Sequence, residues 1–117
     1  MIKRNGSFQA EVRERMRGGD GSAKIEHIWK PKEELGAAST RLFAKVTLEP
    51  GCGIGTHPHD KEEEVYVILK GEAEVEDGDK KAILKPGDSI LTGNGATHSI
   101  KCHGSETLEF LAVINTF

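Results

Sequence analysis

Long hydrophobic runs are absent from this chain of 117 residues. No apolar stretch approaches the roughly 18 residues that span a bilayer as a helix. The opening MIKRNGSFQAEV also lacks the apolar centre of a signal peptide. The sequence therefore predicts a cytoplasmic protein with no membrane partner. Cysteine is scarce: Cys52 and Cys102 are the only two, and without a secretion signal they read as free thiols. An excess of positive charge is missing as well. Sixteen Lys and Arg stand against 19 Asp and Glu, for a net charge of −3, which gives no push toward nucleic acid. There is no fixed-period repeat and no low-complexity tract. Gly18-Gly19-Asp20-Gly21 is not a phosphate loop, because no Gly-Lys-Ser/Thr follows it.

What is present is a glycine-punctuated series of short β patterns. From Thr40 to Leu48, Leu42, Ala44, Val46 and Leu48 share one face, and Arg41, Phe43, Lys45 and Thr47 the other. Further strand candidates are Ile25–Trp29, Val65–Leu69, Ala73–Glu76, Ala82–Leu84, Ser89–Thr92, His98–Cys102 and Leu108–Ile114. Asp77-Gly78 marks a hairpin. Many closely spaced strands separated by Gly predict an antiparallel sandwich or barrel over residues 23–117. Residues 1–22 form an N-terminal arm with a different pattern. Phe8, Val12 and Met16 recur at helical spacing, Ser7 could cap a short helix and Gly18-Gly19 could end it. Arg4, Arg13, Arg15 and Arg17 on this arm read as a solvated face, with an anion or partner contact as the alternative.

Chemistry concentrates at His57, His59, Glu64 and His98. Residues two apart on a strand project to the same side, so His57 and His59 point together if their segment is extended, as Pro58 favours. Glu64 heads a face continued by Tyr66 and Ile68, and a carboxylate there is costly to bury unless it is paired or metal-bound. His98 follows the turn Gly93-Asn94-Gly95. The residues alone leave open whether His98 meets the others, and Glu62-Glu63-Glu64 reads by itself as a solvated charge run. His27 and His103 have no partner at useful spacing. Three imidazoles and a carboxylate suit Mn, Fe, Ni, Co, Cu or Zn.

These spacings resemble those of the cupin superfamily. Its first motif is Gly, five residues, His-x-His, three or four residues, Glu, six residues, Gly, and Gly51, His57, His59, Glu64 and Gly71 meet every interval. Its second motif is Gly, five residues, Pro-x-Gly, two residues, His, three residues, Asn. Gly87, Gly95 and His98 match it, while Gly93 stands for the Pro and Cys102 for the Asn. The resemblance implies an all-β double-stranded β-helix, or jelly-roll barrel, with a short N-terminal helical or irregular segment. It implies one divalent transition metal per chain, held by His57, His59, Glu64 and His98. Glu63 fits the looser spacing but falls on the opposite face from Tyr66 and Ile68. Cys102 reads as a small buried thiol.

A metal with open positions can polarise a carboxylate or carbonyl, or activate water. A largely apolar pocket drawn from Tyr66, Ile68, Ile100 and Phe43 or Phe110 favours a small organic acid or carbonyl compound over a polymer. Such chains resemble the domains of oxalate decarboxylases and germin-like proteins. Oxalate decarboxylases carry an Arg three residues before the first motif His, where this chain has Ile54. Arg41 and Lys45 could serve as anion partners but read as solvent-facing. The expectation is a metalloenzyme (dioxygenase, decarboxylase or isomerase), with a non-catalytic ligand-binding or sensor module as the alternative. Val65, Val67 and Leu69 point away from the site, and their cover by a second subunit predicts a homodimer.

Overall fold

A computed structural model describes residues 1–36 and 39–117. Ten strands run β1 (Gln9–Glu14), β2 (Ser22–His27), β3 (Thr40–Leu48), β4 (Gly53–Pro58), β5 (Glu62–Lys70), β6 (Glu72–Asp77), β7 (Lys80–Leu84), β8 (Ser89–Thr92), β9 (Thr97–His103) and β10 (Leu108–Thr116). A 3-10 turn at Met16–Gly18 and the four-residue helix α1 (Pro31–Glu34) complete the described elements. The strands form a six-stranded sheet, ordered β1-β2-β3-β10-β5-β8, and a four-stranded sheet, ordered β4-β9-β6-β7. All pairings are antiparallel. This is the two-sheet jelly roll of a double-stranded β-helix.

Strand alternation sets the core. Ala44, Val46 and Leu48 of β3, Tyr66 and Ile68 of β5, and Phe110 and Ala112 of β10 turn inward and are buried. From the other sheet come Ala73, Val75, Ile100 and Cys102. Full burial of each large side chain, such as Phe110 or Ile68, contributes about 1.5–3 kcal/mol. The opposite face of β5 is only partly covered: Val65 and Val67 are half-buried and Leu69 is exposed. Asp77 pairs with Lys80, so the β6–β7 hairpin closes through Gly78-Asp79. Gly78 takes φ +64°, a region open to glycine without steric cost.

The N-terminal arm departs from the helical expectation. Residues 9–14 are an edge strand, paired from Gln9↔His27 to Glu14↔Ser22. The Phe8, Val12, Met16 stripe does not become a helical face. Extension of an existing sheet satisfies the backbone of this segment, which an isolated short helix in water would do poorly. Val12 remains 61% exposed. Cys52 and Cys102 are both free. Among the described residues no helix is long and apolar enough to cross a membrane.

Candidate metal centre

The four candidate ligands arrive from both sheets. On β4, pairing with β9 slips between Ile54↔Ile100 and His57↔His98, so Gly55 and Thr56 stand opposite Ser99 alone. This bulge re-phases the strand. Ile54 and His57, three residues apart, consequently both turn inward and are buried. His59 follows on the same side, and His98 lies directly across from His57. Glu64 projects from β5, where it pairs with Thr92 of β8. His57, His59, Glu64 and His98 are all under 7% exposed (6%, 2%, 4% and 1%).

Their ligand atoms converge. One atom from each residue lies within 4.8 Å of all the others. His98 Nε2 is 2.9 Å from His57 Nε2, 2.9 Å from His59 Nε2 and 3.0 Å from Glu64 Oε1. His59 Nε2 is 2.9 Å from the same carboxylate oxygen. Two donors bound at right angles, each about 2.1 Å from one ion, stand about 3.0 Å apart. The outer ring nitrogens are engaged elsewhere. His57 Nδ1–H donates to Gly55 O at 2.7 Å, and His59 Nδ1–H to Glu62 Oε1 at 2.6 Å. His98 Nδ1 meets Thr92 Oγ1 at 2.7 Å. With Nδ1 engaged in these outer contacts, each ring turns its Nε2 toward the cluster. Glu64 Oε1 is a buried oxygen with no hydrogen-bond partner. Burial lowers the His57 pKa, the first of its causes, and so favours the neutral, ligating ring. Converging lone pairs and an orphaned carboxylate oxygen repel unless a cation lies among them, so this cluster could hold one metal ion. Glu63 is not part of it.

One member of the surrounding shell escaped the sequence reading. Glu62 holds His59 and also receives Arg41, whose Nε and Nη2 donate at 2.7 and 3.0 Å. Arg41, the largest cause, together with His59 draws the Glu62 carboxyl down to about 2. The signal was available: Glu62 has the parity of Glu64, Tyr66 and Ile68. Arg41 is solvent-exposed, as expected, and also lines the cavity. Pairing of β10 with β3 steps from Ile114↔Leu42 to Asn115↔Thr40, and the skipped Arg41 is re-aimed by this irregularity. Lys45 instead lies near Glu26, Glu109 and Asn5, outside the cavity lining.

A cavity of about 100 Å³ opens onto His57, His59 and Glu64. Its lining is largely apolar, as expected, but the residues differ: Tyr66 is there with Met16, Ile25, Leu42, Ile54 and Ile114, while Ile68, Ile100, Phe43 and Phe110 are not. Arg13, Arg17 and Arg41 add positive charge at the rim, where His27 also lies. The cause is the β1–β2 hairpin, whose connecting loop reaches over the site and brings arm residues that strand periodicity did not connect with it. His27, outside the cluster as expected, binds Glu11 Oε2 at 2.7 Å. Tyr66 stacks on His98, with its hydroxyl 3.4 Å from Nε2. Burial first, then the Glu64 charge, raises its pKa, so the phenol keeps its proton. Cys102 donates its thiol to Glu106 O at 3.1 Å, and burial pushes its pKa up.

This two-sheet barrel with an inward His-His-Glu-His cluster defines a cupin. The chain belongs to that family: the cupin domain matches residues 44–114, more than half its length. It is 40% identical over 114 residues to an oxalate-binding protein of Thermotoga maritima, covering 97% of this chain and 93% of that one. A crystal structure of a predicted oxalate decarboxylase from Thermotoga maritima superposes with TM-score 0.94 at 38% identity, over 100% of both chains. A polyketide cyclase from Streptomyces resistomycificus shares the fold, with TM-score 0.78 at 21% identity over 98% of this chain and 80% of that one.

Proposed function

We propose that His57, His59, Glu64 and His98 hold one divalent transition metal, and that the cavity above it binds a small organic acid. Oxalate is the first candidate. The observation that carries this reading is the pairing of a ligand cluster with a cationic rim: Arg13, Arg17 and Arg41 line the same small cavity as His57, His59 and Glu64. A volume of about 100 Å³ is far below the roughly 300–1,000 Å³ of pockets for drug-sized ligands. The 40%-identical relative is an oxalate-binding protein, which agrees with that size and charge. When bound, the metal supplies Lewis-acid attraction for a carboxylate or carbonyl oxygen. The chain's own residues do the rest. Gly55, Glu62 and Thr92 fix the ring orientations, Ile54 and Tyr66 exclude water, and the rim draws anions in.

Turnover of the bound acid, by decarboxylation, oxygenation or isomerisation, is the second reading. Tyr66 favours it over passive binding or sensing, because its protonated hydroxyl sits beside His98 where it could donate to a bound oxyanion. In this reading residues 23–117 are the barrel domain and residues 1–22 an arm across its mouth. The half-covered Val65 and Val67 with exposed Leu69 support a homodimer, and sedimentation as a monomer at micromolar concentration would contradict it. The two free thiols suit the cytoplasm.

Calorimetric titration of oxalate into the protein, with and without one equivalent of Mn²⁺, tests the function. Binding only with Mn²⁺ supports it; equal binding without metal, or none with it, refutes it. Formate release and oxygen uptake on the loaded protein then separate turnover from binding.

A further inference from the structure

The β1–β2 connection does more than turn the chain. Arg15 N–H donates to Gly21 O at 2.8 Å and Gly53 N–H to Asp20 O at 2.9 Å, tying the loop to its own base and to β4. Two glycine faces make the contact close. A Cβ on Gly55 would overlap the Arg17 carbonyl oxygen, and a Cβ on Gly19 would overlap the Gly53 carbonyl oxygen. The loop thus presses backbone to backbone against the strand that carries His57. It does so at a conformational cost, since Arg15 and Arg17 sit at φ +48° and +54°, an uncommon region for side chains with a Cβ.

The result is Arg17 at the rim of the metal cavity. Its situation differs from that of the other basic side chains there. Arg13 is bound to Glu11 at 2.6 Å, Arg41 to Glu62 at 2.7 Å, and His27 to Glu11 at 2.7 Å. Arg17 makes no ion pair among the described residues.

We propose that Arg17, delivered by the β1–β2 loop, is the specificity-determining residue that takes the metal-distal carboxylate of a short dicarboxylate such as oxalate. The inference rests on the metal-dependent acid site proposed above. It assigns the anion-recognising charge to the arm, because the strand position three residues before His57 holds the apolar, buried Ile54. A planar guanidinium free of other carboxylates offers parallel donors that a single carboxylate can accept as a pair. A monocarboxylate engaged by the metal would have no second carboxylate to present to Arg17.

Calorimetry on the full chain decides the matter, with Mn²⁺ as the first titrant, then oxalate and formate as separate probes of the Mn²⁺-loaded protein. Arg17→Gln should leave Mn²⁺ affinity unchanged, weaken oxalate binding about 10- to 100-fold, and alter formate binding less than about threefold. Arg17→Lys should recover part of the oxalate affinity. Arg15→Gln, with the same charge change in the same loop but outside the cavity, should behave as wild type and serves as the folding and charge control. Wild-type oxalate affinity in Arg17→Gln, or equal losses for oxalate and formate, would overturn the assignment. Wild-type protein that binds Mn²⁺ but neither anion would instead overturn the acid-site reading and this inference with it.

Discussion

The barrel strands and the N-terminal hairpin reach the same cavity under different rules. On the barrel side, His57, His59, Glu64 and His98 are buried, and the three imidazoles are each fixed through Nδ1. On the hairpin side, Arg13 and Arg17 are exposed, and what is fixed is backbone: Gly19 against Gly53, and the Arg17 carbonyl against Gly55. Buried polar side chains demand full hydrogen bonding, so the barrel half is rigid. An exposed arginine on a pinned loop keeps its side-chain freedom while its root stays in place. One half suits a metal that requires exact donors, and the other suits a small anion that exchanges with solvent.

If that division is correct, substitutions on the two sides should separate metal binding from anion binding. The largest effect belongs to the barrel. Glu62→Ala removes the partner of His59 and should lower Mn²⁺ affinity about 10- to 100-fold, measured by competition with a chelator. Unchanged affinity would mean that the outer hydrogen bonds do not orient the rings. Next comes the hairpin. Gly19 has ordinary angles, φ −72° and ψ 171°, so Gly19→Ala tests close approach alone. The added methyl should push the loop off Gly53, cost about 1–3 kcal/mol of stability, and weaken oxalate binding with Mn²⁺ affinity intact. Equal loss of metal and anion would erase the distinction.

The smallest effect concerns the Arg41–Glu62 pair. Glu62 titrates at about 2 in the fold against an ordinary 4.5, so its contribution is present above pH 4.5 and is lost as pH falls toward 2. Arg41 is 46% exposed, which screens the pair and limits its worth to about 1 kcal/mol or less. Thermal melts of Arg41→Gln and wild-type protein should therefore differ near neutral pH and approach each other as the solution is acidified through this range. A gap that stays constant with pH would assign the difference to packing.

Most of the barrel half could be read from the sequence. Alternation from Thr40 to Leu48 and from Glu64 to Leu69 gave the inward faces, because one-sided burial is written in a two-residue period. The motif spacings pointed to the four residues that the fold draws into one cluster. Glu62 was equally accessible by parity but was masked by the charge run around it. The hairpin half was hidden for physical reasons. Phe8, Val12 and Met16 imitate a helix, while the actual conformation is decided by an unpaired edge of β2, a long-range partner that local periodicity does not encode. Arg41 is exposed as its strand parity predicts, but its place on the cavity accompanies a register shift that parity does not encode. The contact of the arm with β4 depends on Gly19, Gly53 and Gly55, residues whose role is to have no side chain.

The central claim is that four side chains from two sheets form one metal site. Elemental analysis of the protein purified without added metal, beside His98→Ala, tests it most directly. His98 Nε2 lies 2.9–3.0 Å from the ligand atoms of the other three residues, so its removal opens the cluster at its common contact. The account predicts about one equivalent of a divalent transition metal in the wild type and a small fraction of that in the folded mutant. Equal metal content in the two proteins would contradict it.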